Sequence, residues 1–79
     1  MERTAPIEEL DTVVLLNDVK EQGLEQGDIG AVVHQYANDE AYEVEFVTGD
    51  GETVAVLTLG PDAIRPMTRH EILHARALA

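Results

Sequence analysis

An all-β fold is predicted for this chain: a small five-stranded SH3-like barrel, finished by a short C-terminal α-helix. Three observations predict it. Between Asp11 and Pro66 lie five short apolar runs: DTVVLL, DIGAVVHQY, AYEVEFV, TVAVLTL and AIRP. Turn-forming residues separate them, among them ANDE and TGDGE. A twelve-residue polar loop, 17–28, stands between the first two runs. The organisation that follows is a lead-in over 1–10, a barrel over 11–66 and a helical tail over 67–79.

The lead-in contains IEELD, which could start a helical turn or feed the first strand. TVVLL is too short for a helix and holds two β-branched valines, so it reads as a buried strand. Asn17 and Asp18 end it, because their short side chains favour turns. In the loop, Val19 and Leu24 are the aliphatic residues expected to fold back over the barrel end. Gly23, Gly27 and Gly30 supply its left-handed or crowded positions. The third strand alternates most cleanly: Tyr42, Val44 and Phe46 point one way, Glu43 and Glu45 the other. Gly49 and Gly51 are available for a hairpin turn, and 62–66 for a one-turn 3₁₀ connection with a short last strand. The expected core is Val14, Leu16, Ile29, Val32, Val33, Tyr42, Val44, Phe46, Val54, Val56, Leu57, Leu59 and Ile64.

The tail, MTRHEILHARALA, differs in character. Thr68 stands three residues before Glu71, the spacing of a helix capping box. The helix so begun would span about 16 Å and alone would be marginal in water, so it must dock or fray. Self-association of the chain through this tail is one expected use of it.

Composition sets bounds on function. The chain of 79 residues has no cysteine, which excludes disulfides, thiol chemistry and cysteine-based zinc sites. No apolar run approaches the ~20 residues that span a bilayer, and the acidic N-terminus lacks a leader's apolar segment. The expected location is cytoplasmic. Sixteen acids against five bases give a net charge of −11. Such a surface repels nucleic acid and anionic lipid and attracts a basic protein.

His70-Glu71-Ile72-Leu73-His74 spells HExxH. On a helix, two imidazoles at that spacing can ligate zinc while the glutamate polarises water. A third ligand is missing from the ARALA that follows, and the capping box already employs Glu71. Adventitious metal binding by His70 and His74 is expected; a metal-binding or accessory protein using His70, Glu71 and His74, its site completed by His34 or an acid of the barrel, is the alternative reading of the chain, and no cofactor is implied. G-x-x-x-G-x-x-G in the loop lacks the GK[ST] of a phosphate loop. Acids of the two turns show no EF-type spacing. No catalytic constellation stands out, so no enzyme is expected. His34 reads as a solvent-facing strand residue beside Tyr36.

The elements Asp11, Val13, Leu15; Gly23, Leu24; Gly27, Asp28, Gly30, Val32, Val33; Tyr42, Val44, Glu45, Phe46; Thr58, Leu59; and Arg65, Pro66 make a pattern. It resembles that of a family of very small bacterial proteins of unknown function. The resemblance implies an SH3-like barrel, carries over no catalytic residue, and suggests partner-binding or immunity-type proteins. The GD-x-G-x-V-V turn is also similar to KOW-type barrels, which usually carry basic residues for RNA; only Lys20 stands near it here.

Together these readings give an acidic protein-interaction module, its sharpest form an inhibitor of a basic toxin or nuclease. Glu43, Glu45, Asp50, Glu52 and Tyr36 are the candidate partner-binding residues.

Overall fold

The computed structural model describes residues 7–78. Most of the lead-in expected over 1–10 therefore lies outside the described residues. The remainder is a hydrogen-bonded turn feeding the sheet: the Asp11 amide donates to the Glu8 carbonyl at 3.1 Å, and the Asp11 carboxylate accepts the Glu8 amide at 2.9 Å. Leu10 adopts φ 75° in this turn and is 85 % exposed.

Five strands follow in order: β1 (Thr12–Leu15), β2 (Ile29–Gln35), β3 (Tyr42–Val47), β4 (Thr53–Leu59) and β5 (Ile64–Pro66). They form one antiparallel sheet of order β4-β3-β2-β1-β5. Each hairpin places successive strands side by side, and β5 returns across the molecule to pair with β1. Among the described residues no ladder joins β4 to β5, so the sheet is unclosed. One edge is β5, three residues ending in Pro66; the other is β4, seven residues without a charge.

The core is built on the alternation of β3. Tyr42, Val44 and Phe46 are buried on one face, and Val32, Leu15, Val13 and Ile64 pack with them. Gly30 sits where Phe46 and Val44 cross β2. A Cβ built there would lie 2.6 Å from Val44 Cγ1, 2.9 Å from Phe46 Cε2 and 3.0 Å from the Glu45 carbonyl oxygen. Hydrogen here is what lets the core close.

Several inward positions differ from the sequence expectation. In β1, Val13 and Leu15 are the fully buried pair, in place of Val14 and Leu16. A strand apolar on both sides carries no alternation to set its parity; Val14 is also buried, on the other face, where it shares a cavity with Met67 and Ile72 of the tail. Val33 follows the buried Val32 and so faces outward, and a bulge between Val32 and His34 leaves His34 exposed as well. In β4 the residues opposite Phe46, Val44 and Tyr42 are Ala55, Leu57 and Leu59. Val56 faces out, and the two leucines are half-buried because β4 is an edge.

The loops follow the sequence more closely. Val19 and Leu24 exchange backbone hydrogen bonds of 2.9 and 3.1 Å, and Leu24 is buried against the core. The β3–β4 turn is a tight hairpin in which the Gly51 amide donates to Thr48 and Gly51 takes φ 90°, a conformation that favours glycine. The 60–63 connection is a single hydrogen-bonded turn rather than a 3₁₀ helix.

The tail departs from expectation altogether. Residues 71–78 are not helical. Half of the capping box forms, with the Thr68 amide donating to Glu71 Oε1 at 2.8 Å, and the chain then runs on without regular secondary structure. The Glu71 carboxylate is held instead by Arg65, at 2.7 and 3.1 Å. No helix among the described residues is long and apolar enough to cross a membrane.

Candidate functional site

The outward face of β2–β3–β4 holds the first group of candidate residues. The pleat that buries Tyr42, Val44 and Phe46 sends Glu43 and Glu45 to this side. Each carboxylate is fixed by neutral hydroxyls. Glu43 Oε2 accepts from Thr58 Oγ1 at 2.6 Å and from the Tyr36 hydroxyl at 2.7 Å. Glu45 Oε2 accepts from Thr53 Oγ1 at 2.6 Å. The Thr58 and Tyr36 hydroxyls hold the Glu43 carboxyl below its ordinary value, with a smaller contribution from His34. The hydrogen bond to Glu43 in turn raises the Tyr36 phenol.

His34 lies opposite Glu43 in the β2–β3 pairing and meets Tyr36 edge to face, ring centroids 4.7 Å apart. Its Nδ1 is 3.7 Å from Glu9. Asp50 is part of the hairpin turn, where its carboxylate accepts the Thr48 hydroxyl and is thereby held below its ordinary value. Among the described residues no Lys or Arg forms an ion pair with Glu43, Glu45, Asp50 or Glu52. Between these anions the same face exposes Val33, Tyr36, Val47 and Val56. The structure thus groups Tyr36 with Glu43, and sets Glu45 one pleat along; Asp50 and Glu52 belong to the adjoining turn.

A second constellation was not legible in the sequence. Asp28, at the end of the long loop, is 8 % exposed. Its carboxylate receives Arg76 of the tail as a two-pronged fork: Nε to Oδ1 at 2.8 Å and Nη2 to Oδ2 at 2.7 Å. The same guanidinium donates from Nη2 to the Gly23 carbonyl at 2.7 Å. The Glu25 amide donates to Asp28 Oδ2 at 2.8 Å, and His74 Nε2 lies 3.2 Å from Oδ1. The Arg76 guanidinium holds the Asp28 carboxyl below its ordinary value, outweighing the burial that would raise it.

Gly27 belongs to this arrangement. Its φ of 96° is a left-handed conformation, and the His74 ring lies over the place a Cβ would occupy, at 3.7 Å. In G-D-x-G, then, the first glycine takes the left-handed turn beneath His74, the aspartate grips the tail, and the second glycine closes the core. The sequence signal for Asp28 was the motif; nothing local marked Arg76, forty-eight residues away.

His70 and His74 are not brought to one helix face, since the helix that HExxH requires is absent from 71–78. His70 is exposed in the turn, His74 goes to Asp28, and Glu71 is engaged by Arg65. Among the described residues no group of three or more His, Cys, Asp or Glu is arranged to hold a metal ion.

Comparison with known proteins finds one match of family rank. The profile of the family described as "Domain of unknown function (DUF4926)" covers residues 9–66, from the turn before β1 to the last residue of β5. No curated protein and no solved structure is significantly similar to the chain. The match spans most of the sequence and every strand of the sheet, so the chain belongs to the DUF4926 family.

Proposed function

We propose that the protein is a non-enzymatic interaction module that engages a basic protein through the outer face of β2–β3–β4. The observation that carries this reading is the way Glu43 and Glu45 are held. Their carboxylates are oriented by Thr58, Tyr36 and Thr53, donors that fix position without cancelling charge. A glutamate kept only for solubility needs no such anchoring. Fixed anions alternating with exposed Val33, Val47 and Val56 suit a partner surface of arginines or lysines set among apolar residues. Asp50 and Glu52 extend the anionic field along the turn. An inhibitor that covers the phosphate-binding surface of a basic toxin or nuclease is the sharpest form of this function.

The strand order supports an SH3-like barrel as the scaffold: β2, β3 and β4 in a meander, a long polar loop between β1 and β2, and a last short strand returned to β1. The test is affinity capture from the native host with immobilised full-length protein, carrying a tag other than polyhistidine. A basic protein retained at low salt, released at high salt, and lost with Glu43→Lys/Glu45→Lys/Asp50→Lys/Glu52→Lys is the expected result. Unchanged retention by that folded variant would overturn the reading.

A further inference from the structure

The Asp28 clamp is a different place from the outer face and has its own chemistry. A carboxylate with both oxygens turned to one guanidinium, plus a carbonyl for the same group, is a site shaped for arginine. Lysine has no fork to match it. Glu25 Oε1, 3.6 Å from Arg76 Nε, adds negative charge at the rim.

The apolar side chains of the segment that fills the clamp are poorly buried. Of its apolar side chains, Ile72 is 94 %, Leu73 70 % and Leu78 48 % exposed. Beside it an open cavity of about 580 Å³ lies between Leu73 and Leu78 of the tail and Leu24, Phe46 and Val54 of the sheet. A tail held by polar contacts at Arg65, Asp28 and Gly23 but beside an unfilled apolar cavity is an occupant that a ligand with better apolar contacts could replace.

We propose that the Asp28 clamp and this cavity form a receptor for an extended, arginine-bearing segment of a partner protein, with Arg76 of the tail as its displaceable internal occupant. The ligand carries a bulky apolar side chain close to its arginine, which fills the cavity that the tail leaves open. A basic partner is favoured over a second copy of this chain, because two molecules each of net charge −11 repel. Release of the tail raises the affinity for the partner, since an attached competitor acts at high effective concentration.

The experiment titrates a blocked heptapeptide of sequence ILHARAL into ¹⁵N-labelled full-length protein, followed by amide NMR. With Arg76→Ala, shifts at Gly23, Glu25 and Asp28 are expected, at peptide concentrations at least about 10-fold lower than the wild type needs. Exchanging the peptide's arginine for lysine should weaken binding, a control that leaves the protein unaltered. Replacing its last leucine by tryptophan should strengthen binding through the cavity. Adding Asp28→Asn should abolish the shifts while the rest of the spectrum stays dispersed. A folded Arg76→Ala protein without shifts at these amides, or equal binding of the lysine peptide, overturns the proposal. So does a wild type whose native mass shows dimers dissociated by the peptide, which would assign the clamp to tail exchange between copies.

Discussion

Gly30→Ala tests the account of the core most sharply. The new methyl would meet Val44 Cγ1 at 2.6 Å and Phe46 Cε2 at 2.9 Å, where carbon atoms attract best at about 3.5–4.0 Å. The neighbours cannot step aside cheaply. Valine is stiff at χ1, and the third atom, the Glu45 carbonyl oxygen at 3.0 Å, is backbone within the sheet. The substitution should therefore sit near the top of the overpacking range of about 1–3 kcal/mol. Against a total of roughly 3–5 kcal/mol for a chain this short, that removes most of the stability. Urea unfolding followed by far-UV circular dichroism suits a protein without tryptophan. With a slope near 1 kcal/mol/M, the midpoint should fall by about 2–3 M. Val44→Ala removes the nearest obstacle, so the double variant should be more stable than the sum of the single losses predicts, by about 1 kcal/mol or more. Strict additivity, or a Gly30→Ala protein as stable as the wild type, would refute the close-approach argument.

Three further outcomes are expected. Leu10→Gly should raise stability by about 0.5 kcal/mol, because relief of a left-handed leucine, worth about 1–2 kcal/mol, exceeds the added freedom of the unfolded chain; calorimetry should show a higher Tm. Phe46→Ala should cost about 3–5 kcal/mol and leave the chain largely unfolded at 25 °C, seen as collapse of amide dispersion in NMR. The fork from Arg76 holds the folded Asp28 carboxyl below its ordinary value, so its contribution is present above the ordinary carboxylate value and is lost as pH falls through the lower, folded one. Arg76→Ala should move the Asp28 carboxyl titration upward, read from its ¹³C shift, and flatten the acid side of the stability curve; an unmoved titration would show that the fork is not formed in solution.

Much of the sheet was legible because its punctuation is chemical. Gly51 in its left-handed turn, Pro66 at the end of an edge strand, and the β3 alternation each have one structural meaning. The parity of β1 was not legible, since TVVLL offers no polar residue to mark a face and both faces are buried. The tail was misread for a deeper reason. Thr68 and Glu71 do make their local contact, but a short isolated helix is marginal, and the non-helical path lets Arg65 claim Glu71 and Arg76 reach Asp28. Local spacing saw the turn; the pairing that overrode the helix is long-range. For the outer face, the sequence marked Glu43, Glu45 and Tyr36, while their anchoring by Thr53 and Thr58 depends on cross-strand register that only the fold supplies.

The β4 edge has a consequence for the behaviour of the protein in solution. Between Glu52 and Asp62 the chain carries no charge, and TVAVLTL is rich in β-branched residues and free of proline and glycine. Such an edge invites strand-to-strand stacking, which many proteins block with a lysine placed on the strand itself. Here the guard is remote: collective repulsion between strongly anionic molecules keeps their edges apart. That guard weakens in concentrated salt, as the screening length falls to about 3 Å at 1 M, and it vanishes near the isoelectric point of about 4.3. Mild acid should therefore convert a dispersed protein into ordered β-aggregates before it unfolds the sheet, and a single lysine in place of Val56 should suffice to prevent it.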